Sequence, residues 1–232
     1  MWVKICGNNS LPDAQHAVTH GANALGFVLA PSPRRVTPEQ LAAITAHLPR
    51  NVERIGVFVN ADYEEIVDIV ERCQLTGVQL HVTADPELPR RLRTHFAARS
   101  EQPFRILSVL PFCQDLEQAM EAVARDAVQG LASDELLIDS RTPAAHGGTG
   151  QRYDWQVAQP LFHRFSPRLR LIAAGGLNPE NIAEAVHTLC PWGVDVASGV
   201  EAVPGRKDPG RVAAFLQNAR RAFAEAEKQQ HA

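Results

Sequence analysis

The chain has 232 residues, 45% of them hydrophobic, and a formal net charge of −3 at pH 7. That length suits one barrel-sized domain with a sizeable core. The near-neutral charge argues against nucleic acid as a partner, and no apolar run approaches the roughly 20 residues that span a bilayer.

The N-terminus passes directly into strand-like residues without a signal-peptide pattern, which favours a cytoplasmic location. Cys6, Cys73, Cys113 and Cys190 lie far apart and form no C-x-x-C pair. Neither a disulfide framework nor a structural zinc site is therefore expected, and no metal or cofactor is assigned. Cys73 continues an apolar helical stripe and reads as a packed thiol.

Short β-branched or apolar runs alternate with helical patterns from end to end. The strand-like runs are residues 2–6, 23–29, 54–59, 77–81, 104–110, 135–139, 170–174 and 193–198. Between and after them, apolar residues recur at helical spacing. One face is Ile66, Ile69, Val70 and Cys73; another is Ile182, Ala185, Val186 and Leu189; a third is Val212, Phe215, Leu216, Ala219 and Phe223. Helix starts are marked at Leu11-Pro12-Asp13, Thr37-Pro38-Glu39, Asn60-Ala61-Asp62 and Asn178-Pro179-Glu180. Eight strand–helix units predict an α/β fold, a single (β/α)8 barrel over residues 1–232 with a tail, 226–232, expected to fray. A doubly wound open sheet is the competing architecture, and would more naturally show fewer strands.

In such a barrel the chemistry sits at the C-terminal ends of the strands. The first strand ends in Cys6, the fourth in His81 and the sixth in Asp139; the last two run out at Gly175-Gly176 and Ser198-Gly199. A thiol and a carboxylate on distant strands can face one another across the mouth, one taking a proton and the other giving one. Gly7 would let the chain turn and bare the thiol. Lys4, two residues earlier on the same strand, would point inward where an unpaired charge is costly; Asp195 on the last strand is its expected partner. The alternative readings by position alone are a buried structural thiol for Cys6, a helix cap or loop carboxylate for Asp139 and a packed histidine for His81.

Gly175 and Gly176 immediately precede a helix, and Gly199 follows the last strand. Loops after the seventh and eighth strands are the recurring phosphate site of barrels, where backbone N–H groups bind a dianion without a basic side chain. A second glycine run, 146–150, includes Gly148 and suits a loop that closes over a substrate. Arg34 and Arg35, after the second strand, could clamp a carboxylate.

With these segments in place the sequence resembles the phosphoribosylanthranilate isomerase family of tryptophan biosynthesis. The resemblance covers essentially the whole chain and rests on VKICG (3–7), GANALGFVLAPSPRRVTPEQ (21–40), GVFVN (56–60), VQLH (78–81), LLIDSRTPAAHGGTGQRYDW (136–155), AGGLNPENI (174–182) and VDVASGVEAVPGRKD (194–208). It implies an Amadori rearrangement of a phosphorylated aminoaldose, with Cys6 as general base and Asp139 as general acid. Arg34 would hold the anthranilate carboxylate, with His81 and Gly148 lining the site. Gly175, Gly176, Ser198 and Gly199 would surround the phosphate. It also implies a monomer or homodimer with no cofactor. Val82, Ala197, the Asn8-Asn9 pair and Tyr153 depart from the family's usual residues.

Two other phosphate-binding barrel activities compete. The histidine-pathway aminoaldose isomerase places an aspartate where Cys6 stands, and indole-3-glycerol-phosphate synthase needs a catalytic lysine and an added N-terminal segment. A non-catalytic binder of phosphorylated metabolites would retain the phosphate loops and discard the acid–base pair.

Overall fold

Capping and burial explain where each element begins. In the computed structural model, which describes residues 1–81, 85–97, 104–128, 135–140 and 152–230, four of the helix starts carry side-chain caps. Ser10 caps α1 (Leu11–Thr19), and Thr37 and Gln40 form a reciprocal capping box on α2 (Pro38–Thr45). Asp62 caps α3 (Tyr63–Arg72), and Asp154 accepts from the N–H groups of Gln156 and Val157 at the head of α6 (Trp155–Phe165). The helix expected from Asn178-Pro179-Glu180 starts later, as α7 (Ile182–Leu189). The Asn178 side-chain oxygen captures the Glu180 and Asn181 N–H groups at 2.9 and 3.0 Å, folding 178–181 into a turn.

These helices alternate with β1 (Trp2–Ile5), β2 (Ala24–Val28), β3 (Glu53–Val59), β4 (Gly77–His81), β5 (Arg105–Pro111), β6 (Glu135–Asp139), β7 (Arg170–Ala173) and β8 (Gly193–Val196). The remaining helices are α4 (Leu88–Phe96), α5 (Leu116–Val128) and α8 (Pro209–Gln230). Each expected strand recurs, its ends differing by a residue or two at most. The eight strands are parallel and close into a barrel in chain order, which decides against the open sheet. Closure is made by β1 and β8, with Lys4 opposite Asp195 and Ile5 opposite Val196. Helix α8 continues to Gln230, so residues 226–230, expected to fray, are helical, and Ala226 is buried. A short antiparallel hairpin, β9 (Glu201–Val203) and β10 (Arg206–Lys207), separates β8 from α8. The sequence pattern predicts only a loop over this stretch.

Side chains alternate along each strand, and the alternation sorts the interior into layers. Val3, Ile5, Leu25, Phe27, Val78 and Leu80 point outward into the core shared with the helices. Trp2, Ala24, Ile55, Leu107, Leu137 and Ile172 point inward and pack together. Two residues further up, the inward positions include Lys4, Gly26, Gln79 and Asp195; Cys6, His81 and Asp139 stand at the C-terminal ends of β1, β4 and β6, at the mouth.

The floor of the barrel is closed by charge. Trp2 Nε1 donates to Glu53 at 3.0 Å, Arg105 pairs with both Glu53 and Glu135, and Arg170 reaches Glu135 at 3.1 Å. The Arg105 guanidinium also lies over the Trp2 and Trp192 rings, 5.7 and 5.4 Å from their centroids. Removing one partner of a buried pair leaves the other charge uncompensated. Arg105→Ala is accordingly expected to lower unfolding free energy in urea by about 2–4 kcal/mol, with Arg170 limiting the loss. An unchanged midpoint would show that the floor pairs contribute no net stability.

Candidate active site

The interior layer beneath the mouth is polar and fully paired. Lys4 is completely buried; its Nζ donates to Asp195 Oδ1 at 2.8 Å and to Gln79 Oε1 at 2.7 Å. The expected partnership across the β1–β8 seam is therefore present. An ammonium has only donors, so Gln79 must turn its oxygen to Lys4, leaving its amide to donate to His81 Nε2 at 2.7 Å. His81 thus stands at the mouth as a hydrogen-bond acceptor tied to the buried pair. Burial, the largest single influence, pulls the Lys4 pKa down, but the charges of Asp195 and Cys6 outweigh it and hold Lys4 above the ordinary lysine value.

Cys6 follows β1 directly. Its N–H donates to Val196 O at 2.8 Å, and the next two N–H groups, of Gly7 and Asn8, both reach Gly26 O at 2.9 and 3.0 Å. Gly7 has φ of 76°, and a Cβ there would lie 2.6 Å from Arg34 Cδ, so the turn that presents the thiol also makes room for Arg34. Gly26 is bare for a second reason. A Cβ at that position would fall 2.6 Å from Cys6 Sγ and 2.9 Å from Lys4 Cε, so the two side chains share the space it vacates. Asn8, where the family resemblance expects an apolar residue, is fully buried and donates to Ile5 O at 2.7 Å, pinning the turn from below.

Arg34 is not an unattached clamp. Its Nε and Nη2 make a two-pronged pair with Glu201, each at 2.7 Å, and this hydrogen bonding is the main cause that raises its pKa. Lys207 of β10 completes the cluster: Nζ donates to Cys6 O at 2.6 Å, Ala197 O at 3.0 Å and Glu201 Oε1 at 3.2 Å. Burial depresses the Lys207 pKa despite Glu201 and Cys6. Glu201, Lys207 and Gln79 lie within the quoted motifs, but the sequence pattern alone assigns them no role in the site. Gln79 was accessible through parity, two residues before His81 on an inward face.

Asp139 ends β6 and is buried; its carbonyl accepts from Phe112 N–H at 2.8 Å. Around the ring, β7 and β8 lie between it and Cys6. Tyr153 stacks on Phe112 at 4.7 Å, and burial, reinforced by Asp139, pushes its phenol far above the usual range. It therefore remains neutral beside the carboxylate.

The two glycine loops lie against one another. Gly175 and Gly176 both have positive φ, 79° and 68°, and Asn181 Nδ2 donates to Gly176 O at 2.9 Å. Ser198 and Gly199 form one turn of 3-10 helix beside them. A Cβ on Gly199 would sit 1.8 Å from the Leu177 carbonyl oxygen, an overlap with backbone that no side-chain rotation relieves. The structure thus brings Gly175, Gly176, Ser198 and Gly199 to one rim of the mouth. Gly148 lies outside the described residues.

The sequence profile of the family described as "PRAI: N-(5'phosphoribosyl)anthranilate (PRA) isomerase" matches residues 3–218. This chain belongs to that family. N-(5'-phosphoribosyl)anthranilate isomerase from Geobacter sulfurreducens is 41% identical over 219 residues, 94% of this chain and 98% of the relative. A crystal structure of phosphoribosyl anthranilate isomerase in complex with reduced 1-(o-carboxyphenylamino)-1-deoxyribulose 5-phosphate is also similar. It is 34% identical, covers 95% of this chain and 98% of its own, and has a TM-score of 0.76. Monomers generated from the dimeric Thermotoga maritima enzyme match with a TM-score of 0.75 at 36% identity, over 95% of this chain and 98% of the other.

For an isomerase of this family the pressed contact between the glycine loops has a direct consequence. Gly199→Ala is expected to separate them and raise KM by about tenfold or more, equivalent to about 1.4 kcal/mol, measured by steady-state kinetics on the phosphorylated substrate. A KM within twofold of the parent would separate this rim from phosphate binding.

Proposed function

We propose that Cys6 and Asp139 carry the isomerisation that defines this family, acting from opposite parts of one barrel mouth. The reaction is the Amadori rearrangement of N-(5-phosphoribosyl)anthranilate to 1-(2-carboxyphenylamino)-1-deoxyribulose 5-phosphate, a step of tryptophan biosynthesis. The observation that carries the residue assignment is the layering of the interior. Alternation along β1 and β6 aims a thiol and a buried carboxylate into the same cup, which ends on one side in the paired glycine loops.

In the first step Asp139 gives its proton to the furanose ring oxygen, and the ring opens as the nitrogen lone pair forms a Schiff base. The Cys6 thiolate then removes the C2 proton, and the resulting enolamine tautomerises to the ketose. Protons only change places within the substrate, so oxidation state is conserved overall. The phosphate would rest on backbone N–H groups near Gly175, Gly176, Ser198 and Gly199, favoured by the turns that precede α7. Glu201 occupies the Nε edge of Arg34, so the anthranilate carboxylate would meet the outer edge of the guanidinium, whose plane Glu201 fixes in advance. His81, whose Nε2 is engaged by the Gln79 amide, would donate a hydrogen bond from Nδ1 to the substrate, and Gly148 would belong to the loop over it. A cytoplasmic enzyme with a small phosphorylated substrate is the reading that fits; among the described residues no helix is long and apolar enough to cross a membrane.

The test is the loss of substrate fluorescence on conversion. Cys6→Ala and Asp139→Asn are each expected to reduce kcat by about 10²–10⁴-fold. Either variant retaining the parental kcat would remove that residue from the mechanism.

A further inference from the structure

The sequence contains three lysines among its 23 basic residues: Lys4, Lys207 and Lys228. Two of the three are buried, and both are next to Cys6. Arginine supplies the rest of the chain's positive charge, including the floor of the barrel. Lysine is a compact point charge on a flexible stem, and burying one is costly unless negative charge compensates it.

Compensation around Cys6 is incomplete in carboxylates. The cations that interact with the cysteine are Lys4 from β1, Arg34 from the segment after β2 and Lys207 from β10. Among the described residues, the carboxylates paired with their side chains are Asp195 from β8 and Glu201 from β9; the Asp13 carboxylate of α1 lies alongside but accepts from the Lys207 backbone N–H, at 3.3 Å. Lys4 takes Asp195, and Arg34 takes both oxygens of Glu201, leaving Lys207 to share Glu201 at 3.2 Å and otherwise to rest on the carbonyls of Cys6 and Ala197. Three buried cations thus stand against two carboxylates within one group. His81 and Asp139 stand further round the mouth, His81 engaged through Gln79.

We propose that Cys6 is the third anion of this set: three buried cations, two carboxylates and the Cys6 thiolate balance one another, and Lys207 and Lys4 are positioning residues that keep the sulfur ionised. This rests on the reading of Cys6 as general base and supplies its activation. The thiolate is the nucleophilic and proton-accepting form, and neighbouring Lys or Arg charge stabilises it. Burial lowers the Lys207 pKa although Glu201 and Cys6 oppose it, and Asp195 and Cys6 hold the Lys4 pKa up against burial. Gly26 contributes by sparing the volume in which Cys6 Sγ and the end of Lys4 approach one another.

The arrangement makes predictions of opposite sign, which loss of packing would not produce. Removing a cation destabilises the thiolate; removing a carboxylate from the set stabilises it. The measurement is the pH dependence of Cys6 alkylation by iodoacetamide, followed by peptide-resolved mass spectrometry so that Cys73, Cys113 and Cys190 do not contribute. Lys207→Gln, which keeps amide donors for the Cys6 and Ala197 carbonyls, is expected to move the reactive limb to higher pH by about one unit or more, as is Lys4→Met. Glu201→Gln is expected to move it to lower pH. In kcat/KM the acid limb should follow the same displacements, with activity of Lys207→Gln recovering towards the parent as pH rises. Should Lys4→Met fail to fold with Asp195 left unpaired, the contrast between Lys207→Gln and Glu201→Gln still decides. Limbs that stay in place, or that move in the same direction in both, overturn the proposal. Alkylation does not depend on turnover, so opposite displacements combined with a fully active Cys6→Ala would uphold the charge set and discard the base assignment.

Discussion

An ammonium group sealed inside a parallel barrel has to be met by negative charge, and the Lys4–Asp195 pair is the contact on which the rest of this molecule depends. It sits on the seam where the first and last strands close the sheet, at a register position where the two residues face each other. A buried pair of this kind is weak evidence for stability, because desolvation opposes the attraction. Its value here is geometric. It orders Gln79, and through Gln79 the ring of His81, and it places a cation directly under the residue that ends the first strand.

The upper layer repeats the device in a different material. Glu201 aligns Arg34, and Lys207 ties the carbonyls of Cys6 and Ala197 together, so that the ends of β1 and β8 are joined above the seam as well as within it. The seam is therefore clamped at two heights, by the Lys4–Asp195 ion pair below and by the Lys207 hydrogen bonds to the Cys6 and Ala197 carbonyls above. Apolar packing holds the helices outside and the layer around Trp2 below. Polar contacts govern the interior from Lys4 upward.

Much of this was legible in the chain. Eight short β-branched or apolar runs between helical patterns mark the strands, and the placement of Cys6, His81 and Asp139 at their ends follows directly. Parity was enough to pair Lys4 with Asp195, because inward residues on adjoining strands have few places to go. The contribution of Glu201 and Lys207 was not legible. The hairpin that carries them is short and has no alternating pattern, and Glu201 meets Arg34 across 167 positions of sequence. Arg34 was consequently read as a clamp awaiting its ligand, when half of its fork is already occupied by an internal carboxylate. The late start of α7 has a more local origin in the turn built by Asn178, whose side chain competes with the helix for the same N–H groups.

The seam has a temporal aspect as well as a spatial one. Residues 4 and 6 leave the ribosome well before Asp195, Glu201 and Lys207. A nascent chain carrying β1 through β7 would expose a lysine and a thiol at an open sheet edge, with none of the groups that later enclose them. The centre cannot assemble in parts from the N-terminus onward; it comes into being when the final strand inserts beside the first. Activity would then mark the completed chain, and interrupted products would hold a cysteine in an ordinary, unassisted state.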